Sequence, residues 1–128
     1  MKLETGCLGM CESYEVAVYA DGFVDYRGRA YVKHGRHTAK LTPAQLAELD
    51  AVFAGFAAID GDEIHCNVTD LGQLYTIRYR GTRISFFELC DRVPDVALEI
   101  VGGIRATLGL ERWFGTARER ARLPEWRR

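Results

Sequence analysis

Long apolar runs are missing from this 128-residue sequence. No stretch approaches the roughly 18 apolar residues that a bilayer-spanning helix requires. The first residues do not join a basic segment to an apolar run of signal-peptide length. The expectation is a cytoplasmic protein with no membrane contact. A surplus of charge is missing too: 17 Lys and Arg stand against 18 Asp and Glu, for a formal net charge of -1. So balanced a chain has no global field to gather nucleic acid or an anionic surface, and any partner must be recognised locally. Internal repeats and low-complexity linkers are also absent. Neither Gly102-Gly103 nor the Gly6-x-x-Gly9 spacing has the lysine or the strand-to-helix context of a phosphate loop. Nucleotide chemistry therefore has no support.

Apolar residues make up 48% of the chain, enough for one core of ordinary proportions. Tyr14, Val16, Val18 and Ala20 alternate with Glu15, Ala17 and Tyr19, the period of a strand with one buried face. Asp21-Gly22 then tolerates the positive φ angles of a two-residue hairpin turn, so Phe23 to Arg27 returns antiparallel with Val24 and Tyr26 on one face. Arg27-Gly28-Arg29 breaks or bulges the chain before further extended stretches at 30–33 and 37–41. Thr42-Pro43-Ala44-Gln45 has the capping-box pattern with proline at the first helical position, which predicts a helix over 43–57. Leu46, Leu49, Phe53 and Phe56 give that helix an apolar stripe.

A long polar connection follows from Ala58 to Gln73. Tyr75, Ile77 and Tyr79 alternate, Arg80-Gly81 turns the chain, and Ile84 to Leu89 returns as a second hairpin. Pro94-Asp95 starts a second helix whose apolar face is Ala97, Ile100, Val101, Ile104 and Leu108, with Gly109 placed as its C-cap. Gly102-Gly103 inside this helix predicts close packing against a neighbour or a bend. The sum is an α+β domain over 1–115, an antiparallel sheet of five or six strands with two helices on one face, followed by a basic extension over 116–128. That extension has five arginines against two glutamates and is read as a solvated end.

Two thiols flank a glycine in Cys7-Leu8-Gly9-Met10-Cys11. The three-residue separation is not the Cys-x-x-Cys pattern of thioredoxin-like redox proteins. In a reducing cytosol all four cysteines are expected as thiols, with Cys66 and Cys90 buried as small hydrophobes. A metal site would draw on Cys7, Cys11, His65 and Cys66, donor types that zinc prefers, although adjacent extended residues at 65 and 66 point apart. His34 and His37 lie on a basic connection and read as solvated. Asp60, Asp62, Glu63 and Asp70 do not follow an EF-hand spacing, and Thr69-Asp70 reads as a local turn or cap. In Tyr75-Thr76-Ile77-Arg78-Tyr79-Arg80 the aromatic and basic residues interleave, which reads as a half-buried strand with outward arginines rather than a base-stacking platform.

The opening Cys7-Leu8-Gly9-Met10-Cys11-Glu12-Ser13-Tyr14, with Tyr19-Ala20-Asp21-Gly22, Thr69-Asp70 and Glu111-Arg112-Trp113, resembles a bacterial domain family of unknown function. Its members begin Cys-Phe-Gly-x-Cys-Pro-x-Tyr and continue to an Asp-Gly hairpin. Leu8 and Glu12 depart from that pattern. The resemblance spans 3–114 and implies a domain boundary without an activity. The reading is a small non-enzymatic binding module for a protein or small-ligand partner, monomeric or homodimeric, with nucleic acid not expected. Its candidate binding residues are Cys7, Gly9, Cys11, Tyr14, Thr69 and Asp70. The alternative is a zinc-binding or thiol-redox protein using Cys7 and Cys11 with His65 and Cys66.

Overall fold

The computed structural model describes residues 1–7, 11–61, 64 and 72–115. Six strands, β1 (Lys2–Gly6), β2 (Ser13–Val18), β3 (Phe23–Ala30), β4 (Gly35–Lys40), β5 (Leu74–Tyr79) and β6 (Thr82–Phe87), form one sheet in the order β4-β3-β2-β1-β5-β6. Every pairing is antiparallel. Helices α1 (Pro43–Val52) and α2 (Asp95–Leu108) complete the α+β architecture, with short 3-10 turns at Phe56–Ala58 and Leu110–Trp113. The extension beyond residue 115 lies outside the described residues.

The expected hairpins form for the expected reasons. Val18 pairs with Val24, and the Tyr19 amide donates to the Phe23 carbonyl at 3.0 Å. The turn therefore takes three residues, Ala20 to Gly22, rather than two, with Gly22 at φ 90° and the Asp21 carboxylate accepting from the Phe23 amide. Between β5 and β6, Arg80 and Gly81 both have positive φ, the two-residue turn that matches strand twist. The bulge near Gly28 is present, since Tyr14 opposes Gly28 while Ser13 opposes Ala30. The expected extended stretch over 30–33 is not: β3 ends at Ala30, and Tyr31 at φ 58° turns the chain towards β4. β1, which the alternation did not reveal, is a central strand between β2 and β5.

Thr42 caps α1 as the capping box requires, its hydroxyl accepting from the Gln45 amide at 3.2 Å while Gln45 Oε1 accepts from the Thr42 amide at 2.9 Å. α1 stops at Val52, shorter than expected, and the chain reaches Phe56 through a tighter turn; Leu49, Phe53 and Phe56 are all buried. α2 buries Ala97, Ile100, Val101, Ile104 and Leu108, and Gly109 closes it in the left-handed conformation at φ 61°. A Cβ on Gly103 would come within 2.7 Å of Val52 Cγ1, so this glycine lets α2 press on α1. Leu3, Val16, Val24, Tyr26, Ile77, Ile84 and Phe86 line the helix side of the sheet. The residues between them, such as Glu4, Glu15, Arg27, Thr76 and Ser85, point to the opposite face, which no helix among the described residues covers.

Candidate functional site

β1 and β2 are joined at one end of the sheet by the segment that contains Cys7 and Cys11. The two residues form a disulfide, with their Cα atoms 6.1 Å apart. The expectation of four thiols is thereby corrected. It rested on compartment, whereas a four-residue step between two adjacent antiparallel strands puts the Cα atoms inside the range a disulfide spans. Cys90 is buried as expected, but it too is disulfide-bonded, and no described cysteine is free. Cys66 lies outside the described residues, as do Gly9, His65, Thr69 and Asp70.

Beneath the disulfide, on the helix side, a polar network joins the chain segments. The Thr5 hydroxyl donates to the Glu12 carbonyl at 3.1 Å, and Gln73 Nε2 donates to the same oxygen at 2.7 Å. The Tyr75 hydroxyl reaches Gln73 Oε1 at 3.3 Å and Glu88 Oε2 at 3.4 Å. Arg105 from α2 stands 3.9 Å from the Glu12 carboxylate and 4.8 Å above the Phe114 ring. The last residue of the long connection is thus tied to the residue after Cys11. Burial, reinforced by the nearby Glu88 charge, pushes the Tyr75 phenol up to about 12. Tyr14, a candidate binding residue, is only 1% exposed and packs its ring on Tyr26 and Phe114. Burial raises its phenol strongly, and its hydroxyl has no hydrogen-bond partner among the described residues. Tyr14 is a core residue under the site, not part of its surface.

On the open face of the sheet the disulfide forms one wall of a groove of about 390 Å³. Leu74 and Phe87, directly paired across β5 and β6, supply its apolar floor with Gly6 beside them; Glu4 and Arg29 supply the polar rim, and Thr76, itself buried, also lines it. Gly6 leaves space that a side chain at this register would fill, its nearest neighbour being the Ser13 hydroxyl, 3.7 Å from where a Cβ would stand. Thr76 Oγ1 and Ser85 Oγ share a hydrogen bond at 2.9 Å, one rung further along the same strand pair. Arg29 is held by Glu15 at 3.0 Å, and Glu4 by Lys2 at 3.3 Å. Of the residues expected to bind, Cys7 lines this groove, with Cys11 joined behind it. Leu74, Thr76, Phe87 and Arg29 were not anticipated, because only the strand register brings them together.

A second cleft, of about 440 Å³, lies among Asp50, Phe53, Phe56, Tyr79, Arg80 and Thr82. Its groups are engaged with one another: Tyr79 stacks on Phe53 at 4.0 Å, donates to Asp50 Oδ1 at 2.9 Å and carries the Arg80 guanidinium 5.1 Å from its ring centroid. Tyr75 and Tyr79 face the helices while Arg78 faces solvent, the arrangement of a half-buried strand. His37 is less solvated than expected, since its ring stacks on Trp113 with centroids 6.0 Å apart. No group of three or more metal-ligating side chains occurs among the described residues. As a disulfide, Cys7 and Cys11 offer no thiolate to zinc, so a metal site there would require their reduction.

A family model described as Domain of unknown function (DUF6438) matches residues 3–92, and the chain belongs to that family. No curated protein and no solved structure matches the chain. No helix among the described residues is long and apolar enough to cross a membrane.

Proposed function

We propose that this member of a domain family of unknown function is a small binding module that holds its partner in the groove on the open sheet face. The observation that carries this reading is the groove itself. Among the described residues the sheet has helices on one side only, and on the other side paired Leu74 and Phe87 present apolar surface beside the Cys7–Cys11 turn. A concave apolar floor with a few polar groups at its rim is the usual chemistry of a ligand site. The groove chemistry supports binding rather than turnover, since the Cys7 sulfur is held in a disulfide and Glu4 and Arg29 are engaged in ion pairs.

Amide spectra of the labelled full chain test the reading during titration with a panel of short peptides and small amphiphiles. Perturbations clustered at Gly6, Leu74, Thr76 and Phe87 are expected. Perturbations confined to the Phe53–Tyr79 cleft, or catalytic consumption of an added compound, would sink it.

A second reading follows from the disulfide: reversible reduction of Cys7 and Cys11 would switch the groove wall between two states. Reduction would also free two thiolates that zinc could share with His65, and with Cys66 where that cysteine is reduced as well. Disulfides support an oxidising setting, whereas the cytoplasmic setting expected from the sequence would favour the dithiol. Native mass after purification with and without reductant, in the presence of zinc, separates these cases. A zinc adduct only in the reduced sample supports the metal site, and a metal-free dithiol that keeps the fold supports the switch.

A further inference from the structure

Resting on the groove reading, we infer that the partner is an extended peptide segment carrying an apolar side chain and, about four residues from it, acidic side chains that meet Arg78 and Arg83. These two arginines are direct cross-strand partners on the open face of β5 and β6, and both are exposed. Like charges directly opposite one another disfavour the sheet. Elsewhere on this face basic residues are balanced: Arg27 and Arg36 by Asp25, Arg29 by Glu15, Lys2 by Glu4 and Glu15. The Arg78 and Arg83 side chains have no ion pair or hydrogen bond among the described residues, and Lys2, the β1 neighbour of Arg78, is already paired with Glu4 and Glu15, so neither carboxylate is left to these arginines. The fold gains nothing from this juxtaposition, but an anion seated across it would relieve the repulsion.

The groove and the arginine pair lie on one track. Along β5 and β6 the open face presents three successive rungs: Leu74 with Phe87, Thr76 with Ser85, and Arg78 with Arg83. Apolar, hydroxyl and basic chemistry thus follow one another, and the first and last rungs stand roughly 13 Å apart at strand spacing. An extended peptide spans that distance between residues i and i+4. Nucleic acid fits less well. Sheet surfaces that bind single strands stack successive bases on several exposed aromatics, whereas Phe87 is the one aromatic ring on these three rungs, Tyr75 and Tyr79 being on the helix side. Because the other described basic residues of this face, Lys2, Arg27, Arg29 and Arg36, are already matched by carboxylates, the face has no continuous track for a phosphate backbone.

The experiment is to pan a displayed library of random peptides of about twelve residues against the full chain. Fluorescein-labelled peptides from the enriched set are then measured by anisotropy against the wild type, the Arg78→Glu/Arg83→Glu double variant and Leu74→Ser. A labelled single-stranded oligonucleotide is run beside them. The expected consensus pairs acidic residues with Leu, Phe or Met about four positions away. The double charge reversal should weaken binding at least about tenfold at low salt, with the loss shrinking as salt rises. Leu74→Ser should weaken the same peptides, and circular dichroism checks that both variants fold. Enriched peptides without acidic residues, or binding unchanged by the double reversal, would overturn the inference; if Leu74→Ser still weakened them, the groove reading would survive. Loss of effect in both variants would overturn the two together. Preferential, arginine-dependent binding of the oligonucleotide would overturn the peptide in favour of nucleic acid.

Discussion

The side-chain amide of Gln73 donates to the backbone carbonyl of Glu12 at 2.7 Å, joining the end of the long polar connection to the residue that follows the disulfide turn. Gln73 is itself 9% exposed, so its loss would leave buried groups unsatisfied. Gln73→Leu is expected to cost about 1–3 kcal/mol, read as a lower urea midpoint with an unchanged slope. A midpoint equal to the wild type would mean that the Thr5 hydroxyl alone suffices to hold that carbonyl.

The adjacent glycines of α2 should respond in opposite directions. A Cβ on Gly102 meets nothing within 4 Å, so Gly102→Ala is expected to stabilise the protein by about 0.5–1 kcal/mol through helix propensity. The Cβ of Gly103→Ala would press on the branched Val52 side chain, and overpacking of about 1–3 kcal/mol should exceed the same propensity gain. Thermal melts of the two variants beside the wild type check the ordering; equal shifts would refute the close approach of α1 and α2.

Replacing both cysteines in Cys7→Ser/Cys11→Ser removes a cross-link that closes a very short loop. The chain-entropy relation gives about 2 kcal/mol for a loop of this length. Chemical denaturation of this variant under oxidising conditions, with Cys90 untouched, measures the difference. Stability within a few tenths of the wild type would place the disulfide's role in the groove wall and not in the fold.

Alkaline stability should follow the buried phenols. Tyr75 has its pKa raised from about 10 when unfolded to about 12 when folded, and Tyr14 and Tyr26 are raised in the same sense. A raised folded value favours the protonated native state. The contribution is full below the unfolded pKa and is lost as pH climbs from about 10 towards 12. Urea midpoints measured across that window should fall, and should fall less in Tyr75→Phe. A flat profile would contradict the burial of these hydroxyls.

Local chemistry made much of the fold legible. Asp21-Gly22 and Arg80-Gly81 marked both hairpins, Thr42 and Gln45 marked the start of α1, and Gly109 marked the end of α2, because each acts within a few residues of itself. β1 escaped because Lys2-Leu3-Glu4-Thr5-Gly6 places only Leu3 and Thr5 on the buried face, too short an alternation to recognise before the sheet is assembled. The groove escaped for a related reason: its walls come from β1, β3, β5 and β6, and only hydrogen-bonded register sets Phe87 beside Leu74 and Gly6. The disulfide was missed by reasoning from compartment rather than from the reach of two neighbouring strands.

The position of β1 bears on how the chain reaches its native state. The β2–β3–β4 meander and the β5–β6 hairpin can each form from nearby residues, but they share no border, and β1 alone lies between them. Its pairing of Leu3 with Ile77 closes a very long loop. Such contacts raise contact order and slow folding. Until β1 docks, β2 and β5 are raw edges open to strand exchange with another molecule. A chain lacking residues 2–6 should therefore behave as two separate sheet fragments prone to self-association, although fewer than a twentieth of its residues are gone.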